Sequence, residues 1–309
     1  MSGEFRNLGN SGLVVSAVGL GTNNFGSRLD EERTRQVIET ALEAGITFID
    51  TAEIYAKGES ETLIGKILGS RRKDVVIATK VGLPTGDSPF QRGASRRRVM
   101  EAIEGSLRRL RTDYIDLYQV HAPDPATPIA ETLGAFDDLV RQGKVRYVGH
   151  SNFSAWEIVD AAWTADQLHL ARPVSAQHQY SLLTRGIETD VLEVARRFGL
   201  GIIPFYPLES GFLTGKYRAG STPVGSRLET GPRAEKVLSA ENFDRLERLE
   251  RFAVEHGHTL LELALGWLLS QPEVASVIAG ASSGDQVLQN VGASAWRLDA
   301  AEMAEVAGL

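Results

Sequence analysis

Apolar residues in this chain follow two alternating spacings. Short runs rich in β-branched residues recur, and each is followed by a stretch in which apolar side chains return every three or four positions, the signature of strands interleaved with amphipathic helices. After Asp30, a predicted N-cap followed by two acids, Val37, Ile38, Ala41 and Leu42 share a helical face and Gly45 sits where a C′ glycine belongs. The run ITFID follows. A helix over Ser60 to Leu68 precedes VVIATK, and Val99, Ile103, Leu107 and Leu110 mark a third helix before YIDLYQV. Thr127, with Pro128 at N1, is predicted to open a helix carrying Ile129, Leu133, Phe136 and Leu139, which Gly143 closes before VRYVGHS. Ser154 to Glu157 reads as a capping box. Then come VSAQ, a helix over Val191 to Phe198, GIIPF, VASVIAG and a last helix from Gly284.

Counting VSAVGLG at 15–21 as the first, there are eight strand candidates separated by helices, which implies a parallel sheet with its crossovers. Such a sheet either stays open and doubly wound or closes into an eight-stranded barrel. No Pro- or Ser-rich linker interrupts the chain, and the repeat runs to the end, so the expectation is one (β/α)8 TIM barrel domain over 1–309. EFRNLGNSGLVVS predicts a small hairpin around Gly9 to Gly12 that plugs the barrel floor. The polar, Gly- and Pro-rich stretch 209–240 is too long for a connection and predicts a functional loop.

Composition narrows the function. Of 309 residues, 42% are hydrophobic and 24% charged, as in a globular protein with a sizeable core. A formal net charge of −7 disfavours nucleic acid and anionic lipid as partners. The absence of cysteine excludes disulfides, thiolate catalysis and thiolate zinc sites. No signal-peptide core and no run of about 18 apolar residues occurs, so a cytoplasmic location is expected.

In a parallel barrel the carboxyl ends of all strands open on one face, so residues just beyond each strand meet there. These are Asp50 and, through its loop, Tyr55; then Lys80, His121, Ser151 with Asn152, Gln177, and Phe205. Asp50 and Lys80 lie at the ends of neighbouring strands, where pairing makes both charges tolerable. A nearby ammonium favours phenolate, which is expected to draw Tyr55 from about 10 towards neutrality and make it a usable proton donor. A poised acid beside a carbonyl oxygen that gains negative charge accelerates its reduction by roughly 100- to 10,000-fold. His121 is placed to align the same oxygen, and no metal-ligand cluster is apparent.

The chain resembles the aldo-keto reductases over essentially its full length. The segments that carry the likeness are VSAVGLGT, FIDTAEIY with KGESETLIGKIL, VIATKVG, YIDLYQVHAPD, VRYVGHSNFS, SAQHQYSLL, FYPLESGFLTGKY and VIAGASSGDQVLQN, in the family's order. The resemblance implies a barrel that binds a nicotinamide cofactor without a Rossmann fold, with Asp50, Tyr55, Lys80 and His121 as catalytic tetrad. It puts Gly21, Thr22 and Asn23, with Asp50, near the nicotinamide ribose and its phosphate. Ser151, Asn152 and Gln177 hold the carboxamide, and Phe205 stacks on the nicotinamide ring. Tyr206, Pro207, Leu208, Gly211, Gly215 and Lys216 follow the pyrophosphate path, under a loop that covers the cofactor. Gly280, Ser282, Gln286, Gln289 and Asn290 match the adenosine end, where helix N-terminal amides face a phosphate.

Three departures from the family pattern stand out. Tyr206 replaces the usual serine before Pro207. Ser283 stands where many relatives carry a Lys or Arg for a 2′-phosphate, and Arg227 corresponds to an arginine that serves this phosphate in some relatives. The resemblance therefore implies NADP(H), with NAD(H) as the alternative, and a small-molecule carbonyl substrate against which Phe25 and Phe90 are the loop aromatics expected to pack.

Each residue also has a plainer reading. Asp50 and Lys80 suit a structural ion pair, Tyr55 a loop aromatic, and His121 and His150 strand caps. His256 and His258 lack a carboxylate partner and read as solvated. The basic clusters Arg71 to Lys73 and Arg96 to Arg98 read as solvated faces on an acidic chain. A metal-dependent hydrolase needs ligands early in the chain, but the first histidine is His121. A retaining glycosidase needs two facing carboxylates, and the strand ends offer one strong acid. A non-catalytic nicotinamide-binding regulator, similar to the channel β-subunits of this fold, is the remaining alternative. Some of those relatives have asparagine where this chain has His121, so the intact tetrad argues for turnover.

Overall fold

The structure, a computed structural model, describes residues 4–309. Its first two strands, β1 (Phe5–Asn7) and β2 (Val14–Ser16), form an antiparallel hairpin. Eight parallel strands follow: β3 (Val18–Gly21), β4 (Phe48–Asp50), β5 (Val76–Val81), β6 (Ile115–Val120), β7 (Val145–Ser151), β8 (Pro173–Gln179), β9 (Gly201–Phe205) and β10 (Val277–Gly280). They pair in chain order from β3 to β9, and β10 lies beside β3. Ile202 closes the ring, receiving a bond from the Ala275 amide at 2.9 Å and donating to Glu273 O at 2.8 Å. The alternation of strands and helices therefore ends in a barrel and not in an open sheet.

Around it run α1 (Glu31–Glu43), α2 (Glu59–Leu68), α3 (Arg96–Leu110), α4 (Ile129–Arg141), α5 (Ala155–Gln167), α6 (Val191–Phe198), α7 (Pro232–Val237), α8 (Ala240–Glu255), α9 (Leu260–Leu269), α10 (Gly284–Gly292) and α11 (Ala300–Gly308). None of them is long and apolar enough to cross a membrane. Local chemistry sets two of their N-termini as expected. Asp30 accepts from the Arg33 amide, and Ser154 with Glu157 forms the capping box.

Gly45 and Gly143 follow α1 and α4 with positive φ, and α6 and β9 have the expected bounds, but other boundaries differ from the sequence reading. The run 15–21 divides at Ala17, whose amide bonds Glu4 O in the hairpin while its carbonyl accepts from Val277 in the barrel, so only Val18–Gly21 is the barrel strand. Thr127 does not cap α4: its hydroxyl donates to Asp124 at 2.7 Å, and Pro128 holds the cap position with extended ψ. The helix from Gly284 is not the last, since α11 follows. The stretch 209–240 carries a 3₁₀ turn over Glu209–Thr214 and α7. α9 shows no apolar stripe because LLELALGWLL is buried nearly all round, which erases the periodic signal.

Inside the barrel, Leu8, Leu13 and Val15 of the hairpin pack with Phe48, Ala78, Leu117 and Ile203. The hairpin plugs the floor closely. A Cβ on Gly9, at φ +57°, would meet Gly199 O at 2.3 Å and Gly201 N at 2.6 Å. With that end sealed, the polar residues on the inner face at the strands' carboxyl ends surround the one end left open.

Candidate active site

Asp50 ends β4 beside Ala78 of β5, so Lys80, two residues on along the same pleat face, reaches over it. Its ammonium donates to Asp50 Oδ1 at 2.6 Å and to Thr51 O at 2.8 Å. Lys80 is wholly buried and Asp50 3% exposed, so the two charges compensate each other within the protein. From across the barrel, Gln177 of β8 donates its amide to Asp50 Oδ2 at 2.8 Å. A hydroxyl chain braces the rim. Thr22 Oγ1 donates to Asp50 O at 2.9 Å, and Ser60 Oγ, 2.9 Å from Thr51 Oγ1, donates to Thr22 O at 3.1 Å.

That brace fixes the start of α2 and with it the turn before the helix, Tyr55–Gly58, in which Ala56 and Lys57 take positive φ. The turn aims Tyr55 inward. Lys80 Nζ lies 5.4 Å from the Tyr55 ring centre, and the His121 ring meets it edge-on at 5.9 Å. His121 follows β6, its amide bonded to Val81 O and its carbonyl accepting from the Asn152 side chain at 3.0 Å. Its Nδ1 is buried without a partner. Asn152 takes φ +61°, and its amide and the Ser151 hydroxyl both bond Gln177 O at 3.0 Å.

Electrostatics reverse one expectation. Burial pushes the Tyr55 hydroxyl above the ordinary phenol value; the Lys80 charge opposes this, and the Asp50 carboxylate adds to it. Because burial outweighs the Lys80 charge and Asp50 works with it, Tyr55 is not drawn towards neutrality. It stays protonated. Burial pulls Lys80 down, but Asp50 and Tyr55 outweigh it and hold the amine above its usual value. His121 falls to about 3, through burial first and the Lys80 charge second, so its imidazole is neutral. The geometry thus presents a phenol and a neutral imidazole side by side, over a buried ion pair.

Both groups open on a cavity of about 610 Å³. Its wall brings together Gly21, Thr22, Asn23, Ser151, Asn152, Gln177, Phe205, Tyr206, Pro207, Leu208, Gly211, Lys216 and Arg227. Gly280, Ser282, Gln286, Gln289 and Asn290 line the same cavity. Among the described residues Asp50 is the only carboxylate on that wall and is taken by Lys80, whereas Arg28, Lys216 and Arg227 have no acid within ion-pair distance. Burial, with repulsion from Arg227, holds Lys216 below its usual value; burial and nearby guanidinium groups do the same to Arg227. Three uncompensated cations and a half-buried Phe205 ring on one wall fit a polyanion with an aromatic end, as a nicotinamide dinucleotide is.

Residues 17–309 match the profile of the Aldo/keto reductase family. The chain belongs to that family. It is 38% identical over 296 residues to a probable voltage-gated potassium channel subunit beta of Oryza sativa, covering 93% of this chain and 90% of that protein. A putative subunit of the same description in Schizosaccharomyces pombe is 40% identical over 299 residues, covering 93% and 87%. An uncharacterized oxidoreductase of Bacillus subtilis is 39% identical over 307 residues, covering 96% and 92%.

Three expected contacts of this aldo/keto reductase lie elsewhere. Gly215 is off the cavity wall, ending the 3₁₀ turn after β9 with φ +80°. Phe25 is fully buried in the core, where a residue packed beneath its loop has no face for substrate. Phe90 is 58% exposed under the Arg97 guanidinium and does not reach the cavity. Conversely, Asn24, Arg28, Ser210, Ser226 and Leu261 line the wall unforeseen. Asn24 and Arg28 share the loop of Asn23 and were readable from it. Leu261, on α9, carried no signal.

Proposed function

We propose that this aldo/keto reductase reduces an aldehyde or ketone to an alcohol, with NADPH as hydride donor. The observation that supports it best is the convergence of Tyr55, Lys80, Asp50 and His121 at the foot of a cationic cavity. When bound, the reduced nicotinamide supplies the hydride to the carbonyl carbon. Tyr55, protonated at neutral pH, gives its proton to the oxygen as charge develops there, and the resulting phenolate is stabilised by Lys80 before water restores the proton. The neutral His121 ring donates a hydrogen bond that orients the same oxygen. Asp50 holds Lys80 charged and in place. Arg28, Lys216 and Arg227 favour the more highly charged phosphorylated coenzyme over NADH. The acidic net charge and the site's size suit a small carbonyl substrate in the cytoplasm.

Tyr55→Phe tests the assignment: coenzyme should still bind, read by quenching of NADPH fluorescence, while oxidation of NADPH with an aromatic aldehyde falls by at least 100-fold. Unchanged turnover in that variant removes Tyr55 from the reaction. A second reading is supported by the names of the rice and fission-yeast relatives, namely a nicotinamide-binding regulatory subunit of a potassium channel. Under that reading wild type binds NADPH but turns over a panel of aldehydes no faster than Tyr55→Phe, and it co-purifies with a channel.

A further inference from the structure

The chain leaving β9 is held in an unfavourable backbone shape, and one side chain off the cavity wall touches each non-glycine residue responsible. Tyr206, Glu209 and Ser210 have φ of +52°, +45° and +60°, a region that residues with a Cβ seldom occupy and keep only where their surroundings enforce it. Arg233, on α7, contacts all three. Its Nη2 donates to Glu209 Oε2 at 2.6 Å, its Nε donates to Ser210 Oγ at 2.8 Å, and its guanidinium lies over the Tyr206 ring at 3.7 Å. Glu209 is 2% exposed, and its carboxylate also accepts from Ser181 Oγ at 2.7 Å and Thr184 Oγ1 at 2.8 Å, just beyond β8. The carboxylate therefore ties the turn to the barrel, and the guanidinium ties it to α7.

The clamped turn is part of the cavity wall through Tyr206, Ser210 and Gly211. Tyr206 in turn meets Phe205 edge-on at 5.5 Å. We infer that Arg233 is a positioning residue for the coenzyme seat: by fixing three left-handed residues, it sets the Phe205 and Tyr206 rings and the backbone that a dinucleotide would lie along. This rests on the nicotinamide reading above. It also accounts for Tyr206 in place of the family's serine, since a ring gives the guanidinium a face to stack on. A lysine would neutralise Glu209 but cannot make both hydrogen bonds and the stack.

The test is Arg233→Lys, with Tyr206→Ser and the double variant. In the coenzyme-free chain, exchange of the Gly211 and Leu213 amides, both bonded to Leu208 O at 2.8 and 3.2 Å, should quicken about tenfold in Arg233→Lys, as expected for loss of a charged hydrogen bond. The NADPH dissociation constant should rise by roughly tenfold and that for the aldehyde far less, with global melting within a few degrees of wild type. The affinity losses of the two single variants should fail to multiply in the double, because both break the same stack. A lower melting temperature with unchanged NADPH affinity would make Arg233 a structural strut and overturn the inference, as would losses that multiply. Absence of NADPH binding in wild type sinks the coenzyme reading. Binding in wild type with unchanged exchange and affinity in Arg233→Lys sinks the Arg233 assignment alone.

Discussion

Replacing Lys80 by methionine keeps the bulk of the side chain and removes its charge. In the native protein the ammonium makes bonds of 2.6 Å to Asp50 and 2.8 Å to Thr51 O, and both partners are buried. Asp50 would be left, 3% exposed, with the Gln177 amide as its one remaining side-chain donor. Breaking a buried pair by deleting one partner costs about 3–5 kcal/mol, because the other charge stays buried and uncompensated. For a chain of this size that is a fall in melting temperature of roughly 5–8 °C. The sign of the next step separates this account from a simple packing defect. Adding Asp50→Asn to Lys80→Met removes the orphaned charge and should recover much of the loss, so the double variant melts above the single. Calorimetry or urea unfolding of wild type, both singles and the double measures it. A Lys80→Met protein melting within about 2 °C of wild type, or a double variant less stable than Lys80→Met, would refute the reasoning.

Two further outcomes concern protons. In carbonyl reduction Tyr55 must be protonated, and activity that depends on an acid survives below its pKa and fades as pH rises through it. With Tyr55 above the ordinary phenol value and His121 at about 3, kcat/KM should be flat from about pH 5 to about pH 9; a limb falling between pH 7 and 9 would restore a phenol drawn towards neutrality. Stability should weaken in acid. Burial lowers His121 and His150 to about 3 and His178 to about 4, with the neighbouring His178 adding to the effect at His150. The unfolded chain binds these protons near pH 6.5 while the folded one refuses them, so stability is complete above that pH and is lost as pH falls towards 4, by about 2 kcal/mol per histidine at pH 5. Urea midpoints at pH 7 and pH 5, with His150→Phe reducing the difference, check this; equal midpoints would contradict it.

The sequence by itself determined a parallel sheet with its crossovers, because that is the economical way to bury alternating β-branched runs and amphipathic stretches, and its unbroken repeat favoured closure into a barrel. It also placed Asp50, Lys80, His121, Ser151 and Gln177, since a residue at a strand's carboxyl end has only one rim to go to. Only the tertiary structure decided what packing or distant charge controls. Phe25 and Phe90 read alike as loop aromatics, yet one is core and the other is solvent-exposed, a difference set by what lies beneath each loop. Tyr55 read as a phenol beside an ammonium, but its ionisation follows the net field of Lys80 and Asp50 together, and burial outweighs both. Arg233 had no motif, being some 28 positions beyond the strand it steadies. Its contacts exist because α7 folds back onto a turn whose backbone would not hold that shape alone, and no local pattern records such a return.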